Sequence, residues 1–259
     1  MNALTVIPYA EFGIQSNFSF LRGASKPEEL VVAAKLLGFS AIGLADRNTV
    51  AGVVRAWQQA KVEKLSYHPG CRLVFCDGTP DILAYPRDRK GWGHLCRMLT
   101  QANLRDETEK GATLLQRGDL LEWGDLMSLA VVPDLTADAQ DSLASLRQLK
   151  DRFGRNLRLA ISPDYAGNDR FRIEQAAAMA ENTGIPLMAT NDVLYHTAER
   201  RPLQDVLTAI RLNTPVAEVG LELTANAERH LKQVRAGPGW SRRLTVRSTS
   251  STPATPPPR

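Results

Sequence analysis

Two aspartates stand where short apolar segments end, in Leu44-Ala45-Asp46-Arg47-Asn48 and in Ala189-Thr190-Asn191-Asp192. A third polar segment, Gly13-Ile14-Gln15-Ser16-Asn17, follows Tyr9-Ala10-Glu11-Phe12. In parallel α/β folds, ligands bind at the carboxyl ends of strands. Asp46 and Asp192, converging on one face, could hold a hard cation or divide the work of acid and base. Alternatively, each aspartate closes its strand and hydrogen-bonds a loop, which is common turn chemistry. His196 is the only histidine near one of these segments. His94, beside Trp92 in a helical stretch, reads as a packing or surface residue, and His68, before Pro69, reads as a solvated loop residue. Arg87-Asp-Arg-Lys90 reads as a solvated charged loop. Cys71, Cys76 and Cys96 make an odd set without the nearby Cys/His pair of a zinc site, which suits reduced thiols.

The elements that must position these residues alternate. Ser25-Lys26-Pro27-Glu28 predicts a capping box with Ser25 as N-cap, ahead of a helix carrying Leu30, Ala33, Ala34 and Leu37. Ala41 to Ala45 has strand length and no alternation, as in a strand buried on both faces. Helices are predicted over Val50 to Lys64, Gly91 to Ala102, Leu114 to Trp123, and Glu199 to Arg211. Two further helical stripes run through Leu143–Phe153 and Ile173–Ala180. Strands are predicted at Arg72–Phe75, Asp81–Tyr85, Leu129–Val132, Leu157–Ile161 and Pro186–Thr190. This alternation predicts an α/β fold with a mainly parallel sheet, either a closed barrel or an open doubly wound sheet. No G-x-G-x-x-G or G-x-x-x-x-G-K-[ST] is present, so the usual dinucleotide and P-loop readings lack support.

The 259 residues carry a formal net charge of +4, and the pI is near 9.1. A pI this high invites a nucleic-acid reading, but the charge is unevenly placed. Gln233 to Arg259 holds Arg235, Arg242, Arg243, Arg247 and Arg259 and no acidic residue. The preceding 232 residues hold 27 Lys and Arg against 28 Asp and Glu, a net of −1. The tail is also rich in Pro, Ser and Thr, and its composition predicts disorder. No Lys or Arg precedes Arg22 and Pro8 interrupts the apolar start, so no secretory leader is expected. The apolar stretch from Leu30 to Ala45 is too short and mixed to span a membrane. A cytoplasmic protein is the expectation.

The string Tyr9-Ala-Glu-Phe-Gly-Ile-Gln-Ser-Asn-Phe-Ser-Phe-Leu-Arg-Gly-Ala-Ser25 resembles the opening motif of a PHP (polymerase and histidinol phosphatase) domain. It is closest to the version at the start of bacterial error-prone DNA polymerases of the C family, which resemble the polymerase III alpha subunit. Pro27-Glu-Glu-Leu, Leu44-Ala-Asp-Arg, Gly91-Trp-Gly-His-Leu, Ala189-Thr-Asn-Asp-Val-Leu-Tyr-His and Arg200-Arg-Pro-Leu-Gln-Asp-Val-Leu-Thr-Ala-Ile-Arg211 follow in the family's order. The resemblance covers residues 9 to about 232. It implies a distorted (β/α)7 barrel over residues 1–220, a segment 221–232 leading toward a polymerase module, and a tail 233–259 outside the family.

The resemblance also implies a metal site, and this sequence departs from it. The family's His-x-His falls on Gly13 and Gln15, its Asp-His on Asp46-Arg47, and its Gly-x-Glu on Gly70-Cys71-Arg72. The late Asn-Asp-x-His has Leu194 in the imidazole position, with His196 two residues on. Arginine stays protonated in proteins, so Arg47 and Arg72 set fixed positive charge where cations would sit. Gly13, Gln15, Asp46, Arg47, Arg72, Asp192 and His196 therefore read as vestigial positions, with no catalytic residue and no cofactor expected in this chain. Zinc or manganese would enter only if the site were active, and magnesium belongs to the full polymerase. The implied role is a non-catalytic, structural part of a polymerase that copies DNA past lesions; the alternative is a phosphoesterase or exonuclease. DNA is the implied partner through the full polymerase, together with damage-repair accessory proteins. Direct nucleic-acid contacts of this chain are undefined, and binding through the arginine tail is a third hypothesis. The abrupt end of the resemblance after Lys232 is read as a frameshift or another altered reading frame.

Overall fold

Seven strands form one sheet whose spatial order is that of the chain: β1 (Ala10–Ile14), β2 (Ala41–Arg47), β3 (Ser66–Leu73), β4 (Ile82–Pro86), β5 (Met127–Val131), β6 (Leu157–Ile161) and β7 (Leu187–Ala189). The computed structural model describes residues 8–105, 112–135 and 139–233. Among the described residues, seven α-helices accompany the strands: α1 (Pro27–Leu36), α2 (Val53–Glu63), α3 (Arg89–Asn103), α4 (Arg117–Trp123), α5 (Ala139–Phe153), α6 (Asp169–Thr183) and α7 (Arg201–Leu212). None of the described helices is long and apolar enough to cross a membrane. The tail expected to be disordered lies, beyond Gln233, outside the described residues.

The sheet curls into a barrel. Phe12, Ala45, Leu83, Tyr85, Ala130, Ala160 and Met188, drawn from six of the strands, pack together in its interior. Two large rings fit there because β2 narrows at Gly43: a Cβ at that position would lie 2.3 Å from the Phe12 ring and 2.8 Å from Tyr85. The opposite strand faces pack on helices. Ile42 and Leu44 meet Leu30, Val31 and Ala34 of α1 and Ala56 and Ala60 of α2. Leu73, Ile82, Leu129 and Leu159 meet Leu95 and Met98 of α3 and Leu146 and Leu149 of α5. Each fully buried aliphatic side chain of this kind contributes about 1.5–3 kcal/mol.

Between β1 and β7 the barrel is closed by side chains. Glu11, fully buried, accepts from Thr190 Oγ1 (2.9 Å), Asn191 N–H (2.9 Å), Asn191 Nδ2 (2.5 Å) and the Tyr9 hydroxyl (2.6 Å). Thr190 Oγ1 also lies 2.5 Å from the Phe12 carbonyl, and Gln15 N–H donates to the Val193 carbonyl at 2.9 Å. These bonds form a polar seam in place of a ladder.

Three local expectations change. Pro27 takes the first turn, so Lys26 becomes the N-cap of α1 and Glu29, not Glu28, reaches back to its N–H at 2.8 Å. Ser25 is freed for a different bond. β3 begins at Ser66 and includes His68, which is half-buried against the Phe12 ring instead of lying in a solvated loop. Pro69 is tolerated because β4 pairs with β3 only from Cys71 to Leu73. Finally, β4 is antiparallel to both β3 and β5, while the other neighbours pair in parallel. The link from Val74 to Asp81 contains no helix, and a parallel return would need a longer crossover. The amino end of β4 therefore lies at the same barrel end as the carboxyl ends of the other six strands.

Candidate functional site at the barrel mouth

That end opens into a cavity of about 200 Å3, lined by residues from both ends of the chain, including Gln15, Arg22, Arg47, Arg72, Asp192 and Arg229. Arg72, next to the last residue of β3, donates from Nε to Asp81 Oδ2 at 2.7 Å and from Nη1 to Asp192 Oδ1 at 2.8 Å. Arg47, at the end of β2, lies 3.6 Å from Asp81. Arg229 pairs with Asp192 Oδ2 and donates from Nε to the Asp192 carbonyl at 3.0 Å. Gln15 Nε2 approaches Asp192 Oδ1 at 3.4 Å. Three arginines and two aspartates thus form one ionic lattice across the mouth. Burial alone would raise the Asp192 pKa, but the guanidiniums of Arg229 and Arg72 and the hydrogen bonds from Arg72 and Gln15 outweigh it. The carboxyl is held below its ordinary range.

Asp46 belongs to a different cluster. It accepts from Ser16 N–H (2.6 Å), Ser16 Oγ (2.7 Å) and Ser19 Oγ (2.7 Å), so it organises the loop between β1 and α1. Burial raises its pKa despite these hydrogen bonds. The carboxylate oxygens of Asp46 are taken up by this loop, whereas those of Asp192 are taken up by Arg72 and Arg229. His196 also faces elsewhere. Its Nδ1 lies 2.7 Å from Ser25 Oγ, which accepts from the His196 N–H at 3.0 Å. Leu194, where the family has its imidazole, lines the cavity wall.

Gly13 serves the backbone. Its φ is +82°, and its N–H donates to the Tyr85 hydroxyl at 2.7 Å. A Cβ there would lie 3.1 Å from Leu83 Cδ1 and 3.2 Å from Thr190 Oγ1. Gly13→Ala is expected to cost about 1–2 kcal/mol, the penalty for a side chain in left-handed backbone. Thermal unfolding checks this, and a melting temperature equal to that of the parent chain would show that the turn relaxes freely.

Sequence reasoning missed Asp81 and Arg229 at the mouth and Glu11 in the seam beside it. Asp81 was read as the first residue of a strand and given no role; it lies just before β4, whose reversal delivers it to the mouth. Arg229 comes from an irregular segment after α7, near the bridge between Tyr195 and His230. Glu11 falls within the quoted opening string but was given no role there. Its place in the string Tyr9 to Ser25 was the available signal.

A metal cluster does not fit this residue set. Among the described residues, no three His, Cys, Asp or Glu side chains gather to hold an ion. Asp192, the one family carboxylate that faces the mouth, already binds two guanidiniums. A larger cleft of about 340 Å3 lies at the opposite barrel end, by Arg87, Lys90 and His94. There Asp88 caps α3 through Gly91 N–H, and His94 packs edge-on against Trp123.

Residues 11–166 match the family described as PHP domain. The chain is 90% identical, over 232 residues covering 90% of its length, to an error-prone DNA polymerase of Mesorhizobium japonicum, of which it spans 21%. It is 51% identical to an error-prone DNA polymerase of Sinorhizobium medicae over 88% of its length and 20% of that protein. The chain therefore spans about a fifth of these curated relatives. Among solved structures, it resembles an amidohydrolase of Chromobacterium violaceum, with bound sulfate and no metal, at TM-score 0.56 and 11% identity. That match covers 72% of this chain and 87% of the other, and it concerns the fold.

Proposed function

Because the chain belongs to the PHP domain family, we propose that it is the PHP portion of an error-prone DNA polymerase and that its own work is structural. The observation that carries this reading is the clamp of Arg72 and Arg229 on Asp192, which fills the mouth with fixed positive charge where a hydrolase of this fold would hold cations. Such a lattice braces strand ends and offers no activated water. The parent activity is DNA-templated synthesis across lesions during repair, in the cytoplasm, with DNA and damage-repair accessory proteins as partners. Magnesium and the nucleotidyl-transfer carboxylates would belong to the parts of the relatives that this chain does not span. The barrel would cover residues 1–220, and residues 221–232 would lead toward the catalytic module. α7 supports a bracing role, since it leaves Leu203, Val206 and Ile210 exposed along one face, a stripe suited to packing against further polypeptide.

The purified chain is expected to add no nucleotide in a primer-extension assay, to bind no stoichiometric manganese or zinc, and to leave a generic phosphodiester intact. Template-dependent incorporation would overturn the structural reading. Stoichiometric metal with turnover abolished by Asp192→Asn would establish a working phosphoesterase instead.

A further inference from the structure

Positive charge gathers at the barrel end opposite the mouth. The cleft there is lined from three segments, residues 87–97, 121–126 and 147–158. These segments hold nine Lys and Arg against four Asp and Glu, a net of +5 in a body whose net charge is −1. Two of the four acids are already engaged. Asp88 caps α3 through the Gly91 N–H at 2.7 Å, and Asp125 accepts from Arg152 Nη1 at 2.8 Å and Nη2 at 3.0 Å. Arg152 Nη2 also donates to the Leu121 carbonyl at 3.0 Å, which fixes the guanidinium in one posture. The hydrogen bond from Arg152, then its charge and those of His94 and Arg87, hold the Asp125 carboxyl below its ordinary range. Arg87 and Lys90 line the cleft, are exposed, and form no ion pair among the described residues.

Folding does not account for these cations. Arg89 and Lys90 lie in the first turn of α3, with Arg87 just ahead of it, and that turn holds no acidic residue. Cations at this end oppose the helix dipole, which favours negative charge there. Charge kept against the preference of its own helix points to a partner that is itself negative. The face also lacks a stacking platform. Phe153 is buried, and Trp123 is flanked by the His94 ring at 5.4 Å and the Arg97 guanidinium at 5.1 Å. Single strands are gripped through bases stacked on exposed aromatic rings, whereas a duplex presents its phosphates outward.

We infer that the barrel end opposite the mouth is a docking surface for the phosphate backbone of duplex DNA, contacted by Arg87 and Lys90 and backed by Arg152. Exposure suits these side chains, because the duplex lies outside the molecule. The surface gives the chain a second task beside bracing. The choice of DNA among polyanions rests on the reading of the chain as part of a DNA polymerase; the surface itself is independent of what the mouth does.

The test is fluorescence anisotropy of a labelled blunt duplex titrated with the full chain in EDTA, without nucleotide, over a series of salt concentrations. Saturable binding that weakens with salt is expected. Arg87→Gln with Lys90→Gln should weaken it about tenfold and flatten the slope of log K against log salt by about 1.8, since each phosphate contact contributes about 0.9. The double variant should melt no lower than the parent chain, because it relieves the charge conflict at the start of α3. Affinity and slope equal to those of the parent would place the contacts elsewhere, for instance on the arginine tail, and overturn the proposal. Absence of binding would overturn it too. A single strand of the same length that binds as tightly as the duplex would overturn the choice of partner. Failure of the proposed function would show itself separately, as nucleotide incorporation or bound metal, neither of which this titration reads.

Discussion

Replacing Arg72 with alanine is expected to lower the unfolding free energy by about 3 kcal/mol, the low end of the cost of breaking a buried ion pair. The side chains of Arg72, Asp192 and Asp81 are 12%, 21% and 23% exposed, so the lattice is largely removed from water without being sealed. Loss of the guanidinium strands two carboxylates, one just before β4 and one just after β7, with Arg47 and Arg229 left to screen them. Urea denaturation at neutral pH measures the effect. Adding Asp192→Asn to Arg72→Ala should recover part of it, because a neutral amide tolerates the vacancy. The pH dependence follows from the depressed pKa of Asp192. An acid whose folded pKa lies below its ordinary 3.8 contributes stability that is present above that value and lost as pH falls through the folded pKa. The gap between parent and Arg72→Ala should therefore narrow in acid. A variant within about 0.5 kcal/mol of the parent, the range of ordinary surface substitutions, would show that the lattice stabilises nothing.

Glu11→Ala should be at least as damaging, with an expected loss of about 4 kcal/mol from several donors stranded together at 1–3 kcal/mol each. Asn191 loses the acceptor of its backbone N–H and of its side chain, and Tyr9 loses the acceptor of its hydroxyl. Thr190 is spared by its alternative contact with the Phe12 carbonyl. Glu11→Gln keeps the shape and one acceptor, so its loss should be intermediate. Burial raises the Glu11 pKa above 4.5 in spite of the four hydrogen bonds. A raised folded pKa favours the folded chain below 4.5, and that advantage is lost as pH rises through the folded value. Glutamine does not ionise, so the deficit of Glu11→Gln should shrink as pH rises, opposite in direction to the Arg72 case. Equal unfolding curves for parent and Glu11→Ala would show that the seam does not hold the barrel closed.

Much of the barrel was legible because a strand buried on both faces is an apolar run of strand length. Ala41–Ala45 and Leu157–Ile161 are both strands. The direction of β4 was not legible from its own residues, and only the helix-free link before it carries that information. Within the site, Arg47 and Arg72 were found by their places in the family's motifs, and both face the mouth. Asp46 shows the limit of that approach: its strand-end position was plain, but which way it turned depended on Ser16 and Ser19 lying close enough to claim it. Arg229 and Asp192 lie 37 residues apart, and no local pattern links them.

The seam has a consequence for how fast the chain unfolds. Every strand pairs with its successor, so the sheet can grow by short loop closures from β1 to β7. The bonds of the seam, from Glu11 to Thr190 and Asn191, from Thr190 to Phe12 and from Gln15 to Val193, join residues about 180 positions apart. Closing so long a loop is the costliest entropic step and comes after the local pairings. Interactions that form after the rate-limiting barrier slow unfolding and leave the folding rate nearly unchanged. Glu11 then acts as a brake on opening, at the place where no strand pairs, and the seam around it governs the lifetime of the folded barrel.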